Sequence, residues 1–314
     1  MKKIVLTGAC GALGMQIREI LAGRTEELLS VDIQPAPETL LPNERFEQVD
    51  VADMAAFAPL VEGAEMIVHF AAIVDERPFE ELLGPNYISS YNVWEAAHRH
   101  RARRVIYASS VHAVGMHETT AGIGLDAPHR PDTFYGLAKC FAEDLGRMYW
   151  EKRGLEAVCL RIFSCTAEPQ NLRALQTWLS YDDLRQLVRR AVEAPVTGFA
   201  TVFGISANTR APINNDKAGF LGFRPQDNAE DWAAQLQTGV PRPAPDDMGY
   251  TWLGGPFAAV PLGESGIAGI KAMSAAASDS EAAPAAATTA EEAAPARGAN
   301  ADKLPRFLSR KMGD

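Results

Sequence analysis

The chain has 314 residues, 47% of them hydrophobic, enough to bury the core of one large domain or two small ones. Its formal net charge of -10 argues against nucleic acid or an anionic membrane surface as partner, and no run approaches the roughly 18 apolar residues of a membrane span. Cys10, Cys140, Cys159 and Cys165 show neither paired spacing nor a metal-ligand cluster with histidine, so no metal is expected, and a reduced cytoplasmic protein is the simplest reading.

Lys2 to Leu6 predicts a short strand, and the apolar run stops at Thr7-Gly8, too soon for a signal peptide. The strand runs into Thr7-Gly8-Ala9-Cys10-Gly11-Ala12-Leu13-Gly14 and then into a helical pattern from Met15 to Leu21. A glycine-rich turn at the first strand–helix junction lets backbone approach a pyrophosphate, and the helix N-terminus offers free N–H groups. Gly8, Gly11, Ala12, Leu13 and Gly14 are therefore candidate cofactor contacts. The spacing is G-x-x-G-x-x-G. The next strand ends at Asp32, about 20 residues beyond the glycine turn, where a carboxylate can accept both ribose hydroxyls and would repel a 2′-phosphate. NAD is expected rather than NADP.

Asp50-Val51 closes a third strand and could flank the adenine, while Asp53 is placed to cap the helix that follows. Glu65 to Phe70 predicts a fourth strand leading to Ala71-Ala72-Ile73, whose small residues permit close approach of the cofactor ribose. A helix is expected over Asn86 to Arg99, with Asn86 bracing that loop. The strand Arg104 to Ala108 leads to Ser109-Ser110-Val111-His112. Strands alternating with helices imply an α/β fold with a doubly wound parallel sheet. Ligands in such sheets bind beyond the carboxyl ends of the strands, where Gly8, Asp32, Asp50, Ala71 and Ser110 all fall.

Tyr135 and Lys139 stand four apart at the head of a helical run that continues from Cys140 to Trp150. Positions i and i+4 share a helix face, so the ammonium is expected beside the phenol, favouring the phenolate and lowering its pKa. A phenol tuned in that way can take a proton from a substrate hydroxyl. The strand Glu156 to Ile162 follows, and Ile162 at its end is a further cofactor neighbour. Phe199 to Ile205 reads as another strand and Asn228 to Gln237 as a helix. The ordered domain is expected over 1–265, with a substrate region at about 164–240. From 266 to 314 the composition turns to Ala, Ser, Thr, Glu and Pro and predicts disorder.

Taken in order, T-G-x-x-G-x-x-G, the strand-end Asp32, the Ser109-Ser110 loop and Y-x-x-x-K resemble an extended short-chain dehydrogenase/reductase over about residues 1 to 165. The resemblance implies a Rossmann-like domain with a small C-terminal substrate-binding region. It makes Tyr135 the catalytic acid/base, has Lys139 hold the nicotinamide ribose, and has Ser110 hydrogen-bond the reacting oxygen, leaving Ser109 a loop-forming hydroxyl. The runs R-I-x-S-C-T-x-E-P-x-N, T-W-x-S-x-D-D, S-A-N and L-G-x-x-P-x-D-N-A-E are similar to the uronate dehydrogenase family and extend the likeness to about 240.

That family oxidises hexuronic acids to lactones with NAD. The resemblance implies that Arg173 clamps the substrate carboxylate, that Ser164 is a further contact, and that His112 holds a sugar hydroxyl. A guanidinium fork suits a carboxylate, since it binds bidentately. Two positions depart from the family. Val111 stands where it has asparagine, and Val74 where it has serine. Both are substrate-contact positions by transfer, and the loss of two polar contacts implies a deoxy, modified or differently sized sugar acid. The rival readings are another member of the superfamily acting on a sugar phosphate or nucleotide sugar, and a non-catalytic NAD-sensing protein. Related enzymes pair through helices equivalent to 86–99 and 134–150, which implies a homo-oligomer.

Overall fold

The computed structural model describes residues 1–238, 243–244 and 247–271. From the first residues onward strands and helices alternate. They are β1 (Lys3–Thr7), α1 (Ala12–Ala22), β2 (Glu27–Asp32), β3 (Glu44–Gln48), α2 (Met54–Phe57), β4 (Met66–His69), α3 (Phe79–Leu82), α4 (Ser89–Arg99), β5 (Arg104–Ser110), α5 (Phe134–Arg153) and β6 (Glu156–Ile162). There follow β7 (Ser164–Cys165), α6 (Ala174–Thr177), β8 (Trp178–Leu179), α7 (Tyr181–Glu193) and β9 (Phe199–Gly204).

Seven strands form one parallel sheet in the order β3-β2-β1-β4-β5-β6-β9, and β7 pairs with β8 alongside it. The inner strands are apolar on both faces, as a parallel sheet covered on both sides requires, while the edge strand β3 is mostly polar. Ile4 and Leu6 point into a core with Ile17 and Leu21 of α1 and Leu184, Leu187 and Val188 of α7. Val5 between them points the other way, into a core with Val93 and Trp94 of α4 and Ala142 and Tyr149 of α5. The expected doubly wound α/β sheet is therefore present. Its strand order reverses between β1 and β4, so the loops diverge there and leave a crevice at the carboxyl ends.

α5 is long because both ends are closed. The Thr133 hydroxyl accepts the Gly136 N–H at 2.9 Å, and Gly154 ends the helix at φ +69°. Its face towards the sheet buries Tyr135, Lys139 and Glu143, each four residues from the last. Asp53 caps α2 by accepting from the N–H groups of Ala55 and Ala56, as expected. Asn86 braces the loop after β4 as expected too, donating to the Ile73 carbonyl and accepting its N–H, both at 2.9 Å.

Three features differ from the sequence reading. The helix expected from Asn86 is a π-helical turn over Leu83–Ile88 before regular α4, because Pro85 within it has no N–H to donate. The helix expected over 228–237 breaks into a 3-10 turn, Ala229–Trp232, and a short helix, Ala233–Gln237. Residues 266–271, assigned by composition to the tail, are helical, and the Ile267 N–H donates to Asp75 Oδ1 at 3.1 Å. The remainder of the expected disordered tail, 272–314, lies outside the described residues. Among the described residues no helix is long and apolar enough to cross a membrane, and the four cysteines are free.

Candidate active site

A cleft of about 360 Å³ opens at the strand carboxyl ends, floored by the turn between β1 and α1. Gly8 sits there at φ +74°, and a Cβ on it would stand 2.5 Å from the Ala71 nitrogen, so only glycine lets the turn press against the loop after β4. Gly14 packs directly over the Gly8 carbonyl and likewise leaves no room for a side chain. Gly11 precedes α1 with no side-chain cap, which leaves the first N–H groups of the helix open towards the cleft. These are the features a dinucleotide pyrophosphate needs. Beside the turn, Asp32 Oδ2 accepts the Cys10 N–H and Oδ1 accepts the Gln34 N–H, both at 2.9 Å. A carboxylate has acceptor sites to spare beyond two such bonds, so ribose hydroxyls can still be received.

Tyr135 and Lys139 face the cleft from α5. Ser110 at the end of β5 lines the same cleft, and its hydroxyl favours the ionised form of the Tyr135 phenol. Lys139 Nζ donates to the Ala108 carbonyl at 2.8 Å and lies 5.3 Å from the centre of the Tyr135 ring. The expectation that the lysine acidifies the tyrosine is corrected for the protein alone. Burial pushes the phenol up to about 12, with the Asp132 charge adding to the rise and only the Ser110 hydroxyl opposing it. Burial also pulls the Lys139 ammonium down to about 7, against the opposing charge of Glu143. Both groups have lost water, and each is driven towards its neutral form. Position on one helix face fixes proximity; it does not fix the dielectric.

His112 follows Ser110 and lines the same cleft. Its Nδ1 lies 2.8 Å from Asp132 Oδ2, and a carboxylate only accepts, so Nδ1 carries the hydrogen. The ring stacks on Phe257 at 4.2 Å and meets Tyr135 edge-on at 5.6 Å. One turn beyond Lys139, the buried Glu143 accepts from the Ser109 hydroxyl at 2.5 Å, from Arg161 Nη2 at 2.8 Å and from His129 Nε2 at 2.8 Å. Burial alone would raise this carboxyl, but the His129 hydrogen bond and the Arg161 guanidinium hold it down at about 2. Ser109 is thus no loop-forming hydroxyl. It is a strand residue that anchors the helix carrying the tyrosine.

Across the cleft stands Arg173, 7% exposed. It donates through Nη2 to the Leu253 carbonyl at 2.6 Å and through Nη1 to the Ser164 hydroxyl at 3.3 Å. Ser164 Oγ also lies 3.2 Å from Thr177 Oγ1, which fixes its direction. Among the described residues no carboxylate forms an ion pair with Arg173, although burial has lowered its pKa only to about 10 and it remains a cation at neutral pH. The Asp132 charge offsets part of the cost of burying this cation without touching it, and an anionic ligand would relieve more.

The fourth side of the cleft comes from the C-terminal segment. Phe257, Ile267 and Ile270 line it, and an acidic pair after β4 holds the segment in place. The Asp75 carboxylate accepts the Ser265 hydroxyl at 2.6 Å and the Ile267 N–H at 3.1 Å. The Glu76 carboxylate accepts the Gly263 N–H at 2.9 Å and also the N–H groups of Phe134 and Tyr135, at 3.1 and 2.9 Å.

Every residue assigned to substrate from the sequence, Val74, Ser110, Val111, His112, Tyr135, Ser164 and Arg173, lines this cleft. Gly8, Gly11, Ala12, Leu13, Gly14, Ala72, Tyr135, Lys139 and Ile162 from the cofactor set line it too. The others lie outside that lining. Asp32 stands beside the glycine turn, and Ala71 backs Gly8. Asp50 is exposed at the edge, its Oδ1 accepting the Ala52 N–H at 2.8 Å. Val51 is packed into the core, where its carbonyl accepts from Asn92 at 2.8 Å. Val111 is 4% exposed and also packs with Val114, Phe163 and Leu253. Sequence reasoning missed Asp75, Glu76, Asp132, Glu143 and Phe257. Asp132, directly before the Thr133 cap, was the one with a local signal.

Comparison with known proteins agrees with this geometry. The sequence model of the NAD dependent epimerase/dehydratase family matches residues 4–195. The chain is 43% identical over 256 residues to a uronate dehydrogenase of Pseudomonas putida, a match that covers 82% of this chain and 95% of that protein. The structure superposes with TM-score 0.79 on a tyrosine-to-alanine mutant of uronate dehydrogenase from Agrobacterium tumefaciens complexed with NAD, at 42% identity, covering 83% of this chain and 98% of that one. A glucuronic acid dehydrogenase from Chromohalobacter salexigens superposes with TM-score 0.80 at 37% identity, covering 83% and 97%. The chain therefore belongs to the NAD-dependent epimerase/dehydratase family, and within it to the uronate dehydrogenases.

Proposed function

We propose that the protein oxidises a hexuronic acid of the galacturonate or glucuronate type at its anomeric carbon, with NAD, to an aldarolactone. The observation that carries this reading is the buried Arg173 guanidinium, without a carboxylate partner among the described residues, across one cleft from Ser110, Tyr135 and Lys139. Arg173 and Ser164 receive the substrate carboxylate and fix which carbon lies near the tyrosine. Ser110 orients the anomeric oxygen, and Tyr135 as phenolate takes its proton. His112, held by Asp132, accepts a neighbouring sugar hydroxyl through its other nitrogen. Lys139 holds the nicotinamide ribose. The glycine turn holds the pyrophosphate and Asp32 the adenosine ribose. NAD, when bound, supplies the hydride acceptor and, in its oxidised form, a cationic ring. A cation of that kind offsets the burial that keeps the free phenol neutral.

The exposed apolar residues Tyr91 on α4 and Leu137, Phe141 and Met148 on α5 support pairing of two copies across these helices. The four free cysteines support a reducing compartment, the cytoplasm. The reading is tested by NADH formation and lactone detection with purified protein on a panel of uronates, neutral aldoses and sugar phosphates. Turnover confined to the uronates is expected. Turnover of the phosphates alone would hand Arg173 to a phosphate instead.

A further inference from the structure

The polar groups of the cleft are unevenly placed. All of its polar side chains come from β5, α5 and the segments that follow β5 and β6, with Tyr135, His112 and Arg173 the largest. The lining from the loop after β4 and from residues 254–270 carries no polar side chain among the described residues, and its large members are Val74, Phe257, Ile267 and Ile270. This side lies against the reacting group. Phe257, Ile267 and Ile270 pack in one apolar cluster with Tyr135. It is also held firmly, because Asp75 and Glu76, next to Val74, bind the backbone of 263–267 and the head of α5 together. Val74 itself is 61% exposed, so its methyl groups are not occupied in packing the core.

A ring hydroxyl turned towards such a wall finds no side-chain partner there, while an apolar substituent gains contact. We propose that this wall is a specificity determinant for sugar acids whose ring bears a methyl ether or lacks a hydroxyl on the side away from Arg173. The proposal rests on the uronate reading and names the substrate class within it. One methyl group in an apolar pocket discriminates by about tenfold or more.

The test compares kcat/KM for galacturonate and glucuronate with their O-methyl ethers and deoxy analogues, position by position, by NADH formation. At least one derivative is expected to exceed its parent by about tenfold. A preference for the ether over the deoxy acid marks direct contact with the methyl group; equal preference marks relief from an unpaired hydroxyl. Val74→Ser, at an exposed position, and Ile267→Ser are each expected to shift the ratio back towards the parent by about tenfold while NAD binding stays within twofold of wild type. Parents preferred over every derivative, or ratios unmoved in both variants, overturn the proposal although the uronate reading stands. No NADH from any sugar acid overturns the uronate reading, and the wall proposal with it.

Discussion

The backbone N–H of Tyr135 donates to the Glu76 carboxylate at 2.9 Å, across 59 residues of chain. The same carboxylate holds Gly263, so one fully buried side chain ties the catalytic helix to the segment that walls the cleft. Glu76→Ala would leave three backbone N–H groups without this acceptor. The expected loss is about 1–3 kcal/mol, read as a fall in Tm of several degrees. KM for the sugar acid is expected to rise as the segment loosens. Glu76→Gln keeps one acceptor oxygen and should lie between. An alanine variant with unchanged Tm and KM would show that the clip positions nothing.

The two cleft-facing residues of α5 should titrate abnormally in the free protein. By ultraviolet difference titration, with Tyr135→Phe subtracted, Tyr135 is expected near 12, and lower once oxidised NAD is added. A free-protein value below the ordinary phenol would contradict the burial argument. Lys139 gives a stability test. Its folded pKa of about 7 lies below the ordinary 10.5, so the unfolded chain binds more protons between those values. Stability therefore rises with pH across that window, and the penalty of a buried ammonium is fully present below it. Lys139→Met is expected to melt higher than wild type at pH 6, with the gain fading towards about pH 10, and to lose most of its turnover. A gain that grew with pH would reverse the assignment.

Glu143 is the opposite case. Its carboxyl is held at about 2 against an ordinary 4.5, so its contribution is complete above 4.5 and is lost as pH falls towards 2. Glu143→Gln leaves the Arg161 charge buried without its partner, a loss of about 3–5 kcal/mol at neutral pH. The variant's stability should also depend less on pH across that acid window. Denaturant unfolding at a series of pH values measures both, and parallel curves for variant and wild type would exclude Glu143 as the titrating group.

Arg173→Lys keeps a charge but loses the planar fork, and Arg173→Ala loses both. Losing a charge-assisted pair of hydrogen bonds costs about 1.5–3 kcal/mol, so KM for a uronate is expected to rise by about tenfold to a hundredfold in the alanine variant. Activity on a neutral aldose should change little. Equal losses on both substrates would make Arg173 a structural residue held by Leu253 and Ser164.

What was legible in the sequence was local. The glycine turn, Asp32 at a strand end, and Tyr135 four residues before Lys139 are read within a few positions, because strand–turn–helix geometry fixes what they do. α7 left a signal that the sequence reading passed over. Ser180 caps it by accepting the Asp183 N–H, and Leu184, Leu187, Val188, Ala191 and Val192 form its buried stripe. Glu76 and Glu143 could not be read. Their partners lie far along the chain, and an isolated glutamate says nothing of whether it will be buried. The segment 263–271 was obscured by composition, since its small residues merge into an alanine-rich run, yet two isoleucines within it face the cleft. The pKa of Tyr135 was misjudged for the same reason, because spacing reveals a neighbour and burial is a property of the whole fold.

The central claim is that Tyr135 removes the proton of a uronate's anomeric hydroxyl while the hydrogen on the anomeric carbon passes as hydride to NAD. It is tested most directly with galacturonate and glucuronate deuterated at the anomeric carbon, following the label into NADH for wild type and Tyr135→Phe. The account predicts labelled NADH from the wild type, and turnover about a hundredfold or more slower in Tyr135→Phe with NAD binding retained. NADH formed without the label, or a Tyr135→Phe variant as fast as wild type, would contradict it.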